Sequence, residues 1–418
     1  MNLKLLTLLV CTAASVFDAA AAFRAGVAVR NVTPDPLLPV SGGVGPSHPV
    51  TRKESELTVR ALVFEQDGLR VAIVSADFLG FPALLGNRVR AAVNGIAPEN
   101  ILIGATHTHS APDCYGFPNG KGGTDSDPKY LEWVCGRMAE AINAAVTNLQ
   151  PARLKIATGE ANGKIAFNYY APELYDPRCH VLQAVNGSGQ PVVTLVNYAI
   201  HPEVLGSGVG ICSPDLVGPL CQRISSRGGG TAIFMNSAQG GMVTADNRRP
   251  EGGDARTWEE CGRIGTLLAD EALRIVQNAP EQASPKLSCS ARSLSLPVDS
   301  PLMRALLKQI SPGTPDDKVT TQMNVVNLGN AQILTIPGEA LPNIGYYLKR
   351  KVRGQHNLLF GLTNDAFGYI LTKEDYNSFK IYNYITRTSL GERTGEIFVA
   401  EALKFINDCP APEALEKK

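Results

Sequence analysis

Beyond its first 22 residues the 418-residue chain has no apolar run approaching ~20 residues, so no segment reads as a membrane-spanning helix. Net charge is lacking too. Thirty-nine basic residues balance thirty-nine acidic ones, which removes the usual electrostatic reason for binding nucleic acid or an anionic membrane surface. A small molecule is the expected partner. No cysteine stands in a C-x-x-C pair, which argues against a redox or zinc-thiolate site. There is no long Pro/Ser linker, repeat array or low-complexity tract, so residues 23–418 read as one large domain. Histidine is scarce, with six in the whole chain, and two of the six are neighbours.

What is present is the make-up of a globular protein, 44% hydrophobic and 19% charged. Residues 1–22 read as an export signal: Lys4 opens a short positive start, an apolar run follows over 5–10, and Ala20-Ala21-Ala22 offers a small-residue cleavage site. A lipid-anchor reading of Leu8-Leu9-Val10-Cys11 is disfavoured by the bulk of Val10. The mature protein would be secreted or periplasmic. Loss of the signal removes Cys11 and leaves eight cysteines, an even number that an oxidising compartment would pair as disulfides. Buried free thiols are the alternative.

Strand and helix patterns alternate along the chain. Residues 57–64 turn at Asp67-Gly68 into 69–75, a hairpin of β-rich runs around a two-residue turn. The design returns at 180–185 with 191–199 and at 323–328 with 331–336. Each second strand runs into a polar residue: Asp77, His201 and Glu339. A fourth apolar strand, 101–105, runs into His107. Helical periodicity covers 82–93, 130–149, 216–225, 258–275, 342–352 and 392–406. Gly/Pro-rich loops fall at 41–49, 116–128, 247–254 and 311–317. The pattern predicts an α/β domain with mixed β-sheets flanked by helices, its chemistry at strand ends.

Thr106-His107-Thr108-His109-Ser110 follows the apolar strand, and in extended backbone positions i and i+2 face the same way. Both imidazoles could then address one point, or either could be a hydrogen-bonded structural residue. His201 ends a strongly apolar strand, where a buried ring needs a partner. Glu339, in Ile336-Pro337-Gly338-Glu339, is either a ligand in the same kind of position or a cap for the following helix. Two imidazoles, a carboxylate and an open position make a catalytic zinc set.

Four ordered motifs carry a resemblance: Ala105-Thr106-His107-Thr108-His109-Ser110-Ala111-Pro112, Asn197-Tyr198-Ala199-Ile200-His201, Pro337-Gly338-Glu339 and Thr372-Lys373-Glu374-Asp375-Tyr376. With the opening Ala25-Gly26-Val27-Ala28 to Val32-Thr33-Pro34, their order and spacing resemble the catalytic domain of the neutral, non-lysosomal ceramidases over nearly the whole mature chain. The resemblance implies a layered α/β fold and one zinc ion held by His107, His201, Glu339 and Tyr376. A phenolate is reasonable there, because a cation favours the charged form. His109 becomes the candidate for proton transfer or carbonyl polarisation. Asp113 is either an orienting partner of the histidines or a solvated loop carboxylate.

The chain also departs from that family. Phe234-Met235-Asn236-Ser237-Ala238-Gln239-Gly240-Gly241-Met242-Val243-Thr244 replaces a G-D-V-S-P-like loop, leaving Thr244 or Ser237 as the nearest hydroxyl. Tyr169 or Tyr170 stands where an arginine is expected, and the family's carboxy-terminal immunoglobulin-like domain has no counterpart. The expected reaction is hydrolysis of an N-acyl amide by zinc-activated water, with the oxyanion helped by His109 and by Tyr382 or Tyr384, which are otherwise packing residues. Ceramide itself is expected to be a poorer substrate than a smaller or more polar acyl compound. The rivals are a zinc-dependent esterase, lactonase or deacetylase on a polar or carbohydrate-linked substrate, an amidohydrolase barrel, disfavoured by the antiparallel hairpins, and a non-catalytic metal-holding protein.

Overall fold

The computed structural model describes residues 23–310 and 317–415. Residues 1–22, expected from the sequence to be an export signal, lie outside the described residues, as does most of the loop at 311–317.

Three four-stranded units follow one another. In the first, β1 (Arg24–Asn31), β2 (Thr58–Gln66) and β3 (Leu69–Ala76) form an antiparallel meander, and β4 (Ile101–Ala105) joins β3 in parallel. The second repeats the order with β5 (Arg153–Glu160), β6 (Arg178–Val185), β7 (Pro191–Tyr198) and β8 (Thr231–Asn236). The third does so with β9 (Leu287–Pro297), β10 (Lys318–Leu328), β11 (Ala331–Thr335) and β12 (His356–Phe360). A parallel pair needs a crossover, and helices supply it: α1 (Ala83–Ala91), α3 (Val217–Ser226) and α6 (Pro342–Lys349). A longer helix closes each unit: α2 (Pro128–Thr147), α4 (Trp258–Val276) and α7 (Thr394–Asp408). The mixed α/β fold expected from the sequence is therefore present, built on a β-β-β-α-β-α pattern used three times.

Local chemistry explains the elements. Asp67 (φ +50°) and Gly68 (φ +80°) are both left-handed, the conformation that a two-residue hairpin turn requires. Asp127 accepts from the amides of Lys129 and Tyr130 at the start of α2, where Pro128 forgoes an amide that would be unpaired in any case. Thr257 caps α4 through Glu260 N.

Side chains alternate across each strand and so face two different cores. Along β2, Val59, Ala61 and Val63 pack under α1 and α2, while Leu62 and Phe64 face inward. The inward side chains of all three sheets meet in one common core: Leu62, Ile73 and Leu102 touch the same cluster as Leu182, Leu195 and Ile233 and as Ile333, Leu358 and Phe360. The three sheets thus surround a shared interior, with helices outside. Because the parallel pairs are in register, Ala76 beside Ala105, Tyr198 beside Asn236 and Thr335 beside Phe360, their carboxyl ends finish level in each unit. Asp77, His107, His201 and Glu339 follow those ends.

Three expectations change. Strands β5, β8, β9 and β12 have no counterpart among the strands read from the sequence, and the Ser-rich β9 gives the weakest signal, with a mostly half-exposed face and little apolar alternation. Helix α5 (Pro301–Ile310) is also new. Finally, no disulfide forms among the described residues. All eight cysteines are unpaired, and all but Cys289 are buried. They are scattered as small apolar side chains through separate helix–sheet cores, with Cys114, Cys135 and Cys212 in the first, Cys179, Cys221 and Cys261 in the second and Cys409 in the third. Burial pushes the Cys135 thiol up to about 11 and the Cys179 and Cys212 thiols up to about 12.

Candidate metal centre

Each unit contributes one side chain to a buried polar cluster at the level ends of the strands. His107 comes from the first, His201 from the second and Glu339 from the third, and all three are buried. His107 reaches this place in an unexpected way. The residue is left-handed, φ +73°, so the H-x-H segment is not extended and the two rings do not meet by simple alternation. Tertiary hydrogen bonds hold the turn: His107 N donates to Phe78 O at 2.9 Å and His109 N to Pro202 O at 3.2 Å. A strained non-glycine residue held this way is typical of functional sites.

The hydrogen bonds settle the imidazole tautomers. His107 Nδ1 lies 2.5 Å from Leu79 O, and His201 Nδ1 lies 2.8 Å from Val243 O. A carbonyl only accepts, so both Nδ1 atoms carry the proton and each neutral ring keeps its lone pair on Nε2. Both lone pairs point at the same oxygen. Glu339 Oε2 lies 3.4 Å from His107 Nε2 and 3.1 Å from His201 Nε2. Three electron-rich atoms facing one another inside a protein repel unless a cation stands among them. Protonation is one answer: burial opposes a charged His201, but the hydrogen bond to Glu339 prevails and raises its pKa. Burial likewise opposes ionisation of Glu339, and the two histidines overcome it and hold its carboxyl well below the usual range. A divalent metal is the other answer, and the donor types suit zinc. His109 stands against the pair, its ring centroid 4.9 Å from that of His107 and 5.8 Å from that of His201. The three imidazoles bring ligand atoms within 4.8 Å of one another, a group able to hold a metal ion.

No protein-family model matches the chain. A curated relative, neutral ceramidase from Pseudomonas aeruginosa, is 24% identical over 267 residues, which cover 56% of this chain and 38% of that protein's own length. Its crystal structure superposes with a TM-score of 0.74 at 18% identity, covering 95% of this chain and 77% of that one. A structure described as ceramidase complexed with C2 gives the same TM-score at 17% identity. The chain resembles neutral ceramidase in sequence and in fold.

Of the four ligands that the likeness to neutral ceramidase singles out, three meet as described. The fourth faces elsewhere. Tyr376 is half-buried; burial raises its phenol pKa, and Glu392 and Asp299 are the charged groups facing it. Among the tyrosines beside Glu339 are Tyr369 and Tyr384. Burial raises both phenols, and the neighbouring Glu339 and Glu203 add to it, with Tyr384 pushed up to about 12. Tyr382 packs between the rings of Tyr170 and Phe379. Asp113 turns away from the histidines and shapes its own loop, accepting from Tyr115 N at 2.8 Å and Phe117 N at 2.7 Å.

Thr244, at the end of the 234–244 segment, bridges to His201. Its hydroxyl favours the charged form of Glu203, whose carboxyl is held below its ordinary range against burial, mainly by His109 and His201. Glu203 escaped the sequence reading. The signal that could have found it is its place two residues after His201.

A cavity opens beside the cluster, with His107, His109 and Glu339 in its wall. Leu79, Phe117, Met303, Leu306 and Phe367 give it an apolar side, Met303 and Leu306 coming from α5. Tyr384 and Gly43 stand in the wall next to each other.

Proposed function

We propose that the chain is a zinc-dependent hydrolase of an amide, an N-acyl linkage, with His107, His201 and Glu339 as the metal ligands and an apolar acyl group as the part of the substrate that the cavity holds. The convergence of two Nε2 atoms, from rings whose Nδ1 atoms face carbonyl acceptors, on one Glu339 oxygen carries the reading. Zinc in such a set supplies activation of water near neutral pH and polarisation of the acyl carbonyl. The chain supplies the rest. His109 stands in the cavity wall with a buried Nε2 that has no hydrogen-bond partner among the described residues, placed to take or return a proton. Tyr384, its pKa raised, stays protonated and can donate to developing negative charge on the acyl oxygen. The apolar wall excludes water from the acyl side and favours a hydrocarbon-bearing amide over a carbohydrate ester.

Elemental analysis and a substrate panel test this. The purified protein should hold about one zinc per chain, and His107→Ala, His201→Ala and Glu339→Ala should each lose it. The parent should hydrolyse one or more members of a panel containing ceramide, N-acyl amino acids, N-acyl amino sugars, lactones and aryl esters, with activity abolished by a chelator. Three variants as metal-replete as the parent would overturn the ligand set. Metal retention without turnover on any member would make the chain a metal-holding binding protein.

A further inference from the structure

The cluster contains a carboxylate with no part in the ligand set. Glu203 stands just beyond His201-Pro202, and its amide donates back to His201 O at 3.0 Å, a tight turn that returns the side chain toward the cluster. Across from it, His109 is tied to the same segment through Pro202 O. The result is a side-chain pair: Glu203 Oε2 lies 3.4 Å from His109 Nδ1, with the side chains 20% and 14% exposed. On the far side of the ring, His109 Nε2 is buried and has no hydrogen-bond partner among the described residues.

We infer that Glu203 is a positioning residue for His109, holding the imidazole as the Nδ1–H tautomer so that the buried Nε2, which has no hydrogen-bond partner among the described residues, keeps its lone pair free. The argument is one of proton inventory. A neutral imidazole has one N–H, and an ionised carboxylate only accepts, so the nitrogen beside Glu203 must carry the proton. His107 and His201 show the same design with Leu79 O and Val243 O as the acceptors. Glu203 would complete it for the third ring. A carboxylate behind a working imidazole fixes its orientation and raises its basicity, and a 3.4 Å contact is of the loose kind that tightens when substrate binds. The functional meaning of the pair rests on the proposed hydrolysis; the tautomer does not.

The test is therefore spectroscopic first. With the full-length protein labelled at 15N-histidine, six imidazoles give a sparse long-range proton–nitrogen spectrum, and His109→Asn identifies the His109 signals by their disappearance. The parent should show His109 as Nδ1–H. Glu203→Leu should convert it to Nε2–H or to a mixture, and Glu203→Gln, which keeps an acceptor oxygen, should preserve Nδ1–H. On whichever panel substrate the parent cleaves, kcat of Glu203→Leu should fall about 10²-fold or more at nearly constant KM, with zinc content unchanged and partial recovery in Glu203→Gln. An Nε2–H signal for His109 in the parent would overturn the inference even where Glu203→Leu fails to fold, and so would an unchanged Nδ1–H signal in a folded Glu203→Leu. Failure of every substrate would count against the hydrolase and leave the tautomer result standing.

Discussion

Replacing Gly240 by alanine should disable the proposed metal centre without touching any of its proposed ligands. Gly240 belongs to the loop after β8, and its amide donates to Ala340 O at 2.9 Å, so it lies flat against the short strand that carries Glu339. A Cβ built there would stand 2.2 Å from Glu339 O and 2.8 Å from both the carbon and the oxygen of the Ala340 carbonyl. Carbon and oxygen are comfortable beyond about 3.3 Å, so loop and strand must part by roughly 1 Å. Neither side can yield through a flexible side chain, because every atom met is backbone. Overpacking of this kind costs about 1–3 kcal/mol. The metal should suffer more, since ligand distances tolerate only about 0.2 Å. Gly240→Ala should therefore lose zinc affinity by about 10-fold to 100-fold, the range seen when support for a ligand is removed, while urea unfolding shows a loss within the overpacking range. Gly136, exposed in α2, is the control: a Cβ there meets nothing within 4 Å, and alanine should add about 0.5–1 kcal/mol with zinc unchanged. Competition against a chelator measures the affinity. Parental zinc affinity in Gly240→Ala would refute the claim that this backbone contact sets the position of Glu339.

Three further outcomes are expected. Lys349 Nζ lies 2.9 Å from Asp176 Oδ2, with the side chains 2% and 6% exposed, so Lys349→Met should cost about 3 kcal/mol in urea unfolding by leaving a buried carboxylate to Arg178 alone; a loss below about 1 kcal/mol would contradict this. Burial pushes the Asp215 carboxyl up to about 6 from an ordinary 3.8, so the folded chain binds that proton more tightly than the unfolded one, and its contribution to stability is lost as pH rises between those values. Asp215→Asn should accordingly gain up to about 3 kcal/mol relative to the parent between about pH 4 and pH 7, and a gap that stays constant would count against the buried-carboxyl account. Thiol titration of denatured, unreduced protein comprising residues 23–418 should find eight reactive groups, whereas few would restore the disulfide expectation.

The elements that were legible are those whose own residues suffice to form them. Strands 57–64 and 69–75 were readable because alternation and Asp67-Gly68 are local signals, and they appear as β2 and β3 in antiparallel register. The hairpins of β6 with β7 and β10 with β11 were readable for the same reason. Six helices were placed by periodicity, whereas β9, Ser-rich and half exposed, draws its strand character from eleven paired positions along β10.

At the site, residue type was enough to nominate His107, His201 and Glu339, since a histidine or carboxylate directly after an apolar strand demands a partner. What no local pattern contains is the meeting of three such strand ends. That depends on three sheets turning their inner faces onto one core, an event driven by Leu62, Leu195, Ile333 and their neighbours, which are separated by more than a hundred residues of chain. The same long-range contacts explain the remaining differences. His107 is left-handed because Phe78 O and Leu79 O hold it, Tyr384 rather than Tyr376 comes beside Glu339, and Glu203 meets His109 because Pro202 bonds to it. Local pattern was enough for the three hairpins, the strand before His107, six helices and the chemical types available for the site; tertiary packing decided the remaining strands and which side chains meet, because encounters between distant segments are set by burial of the common core and not by spacing along the chain.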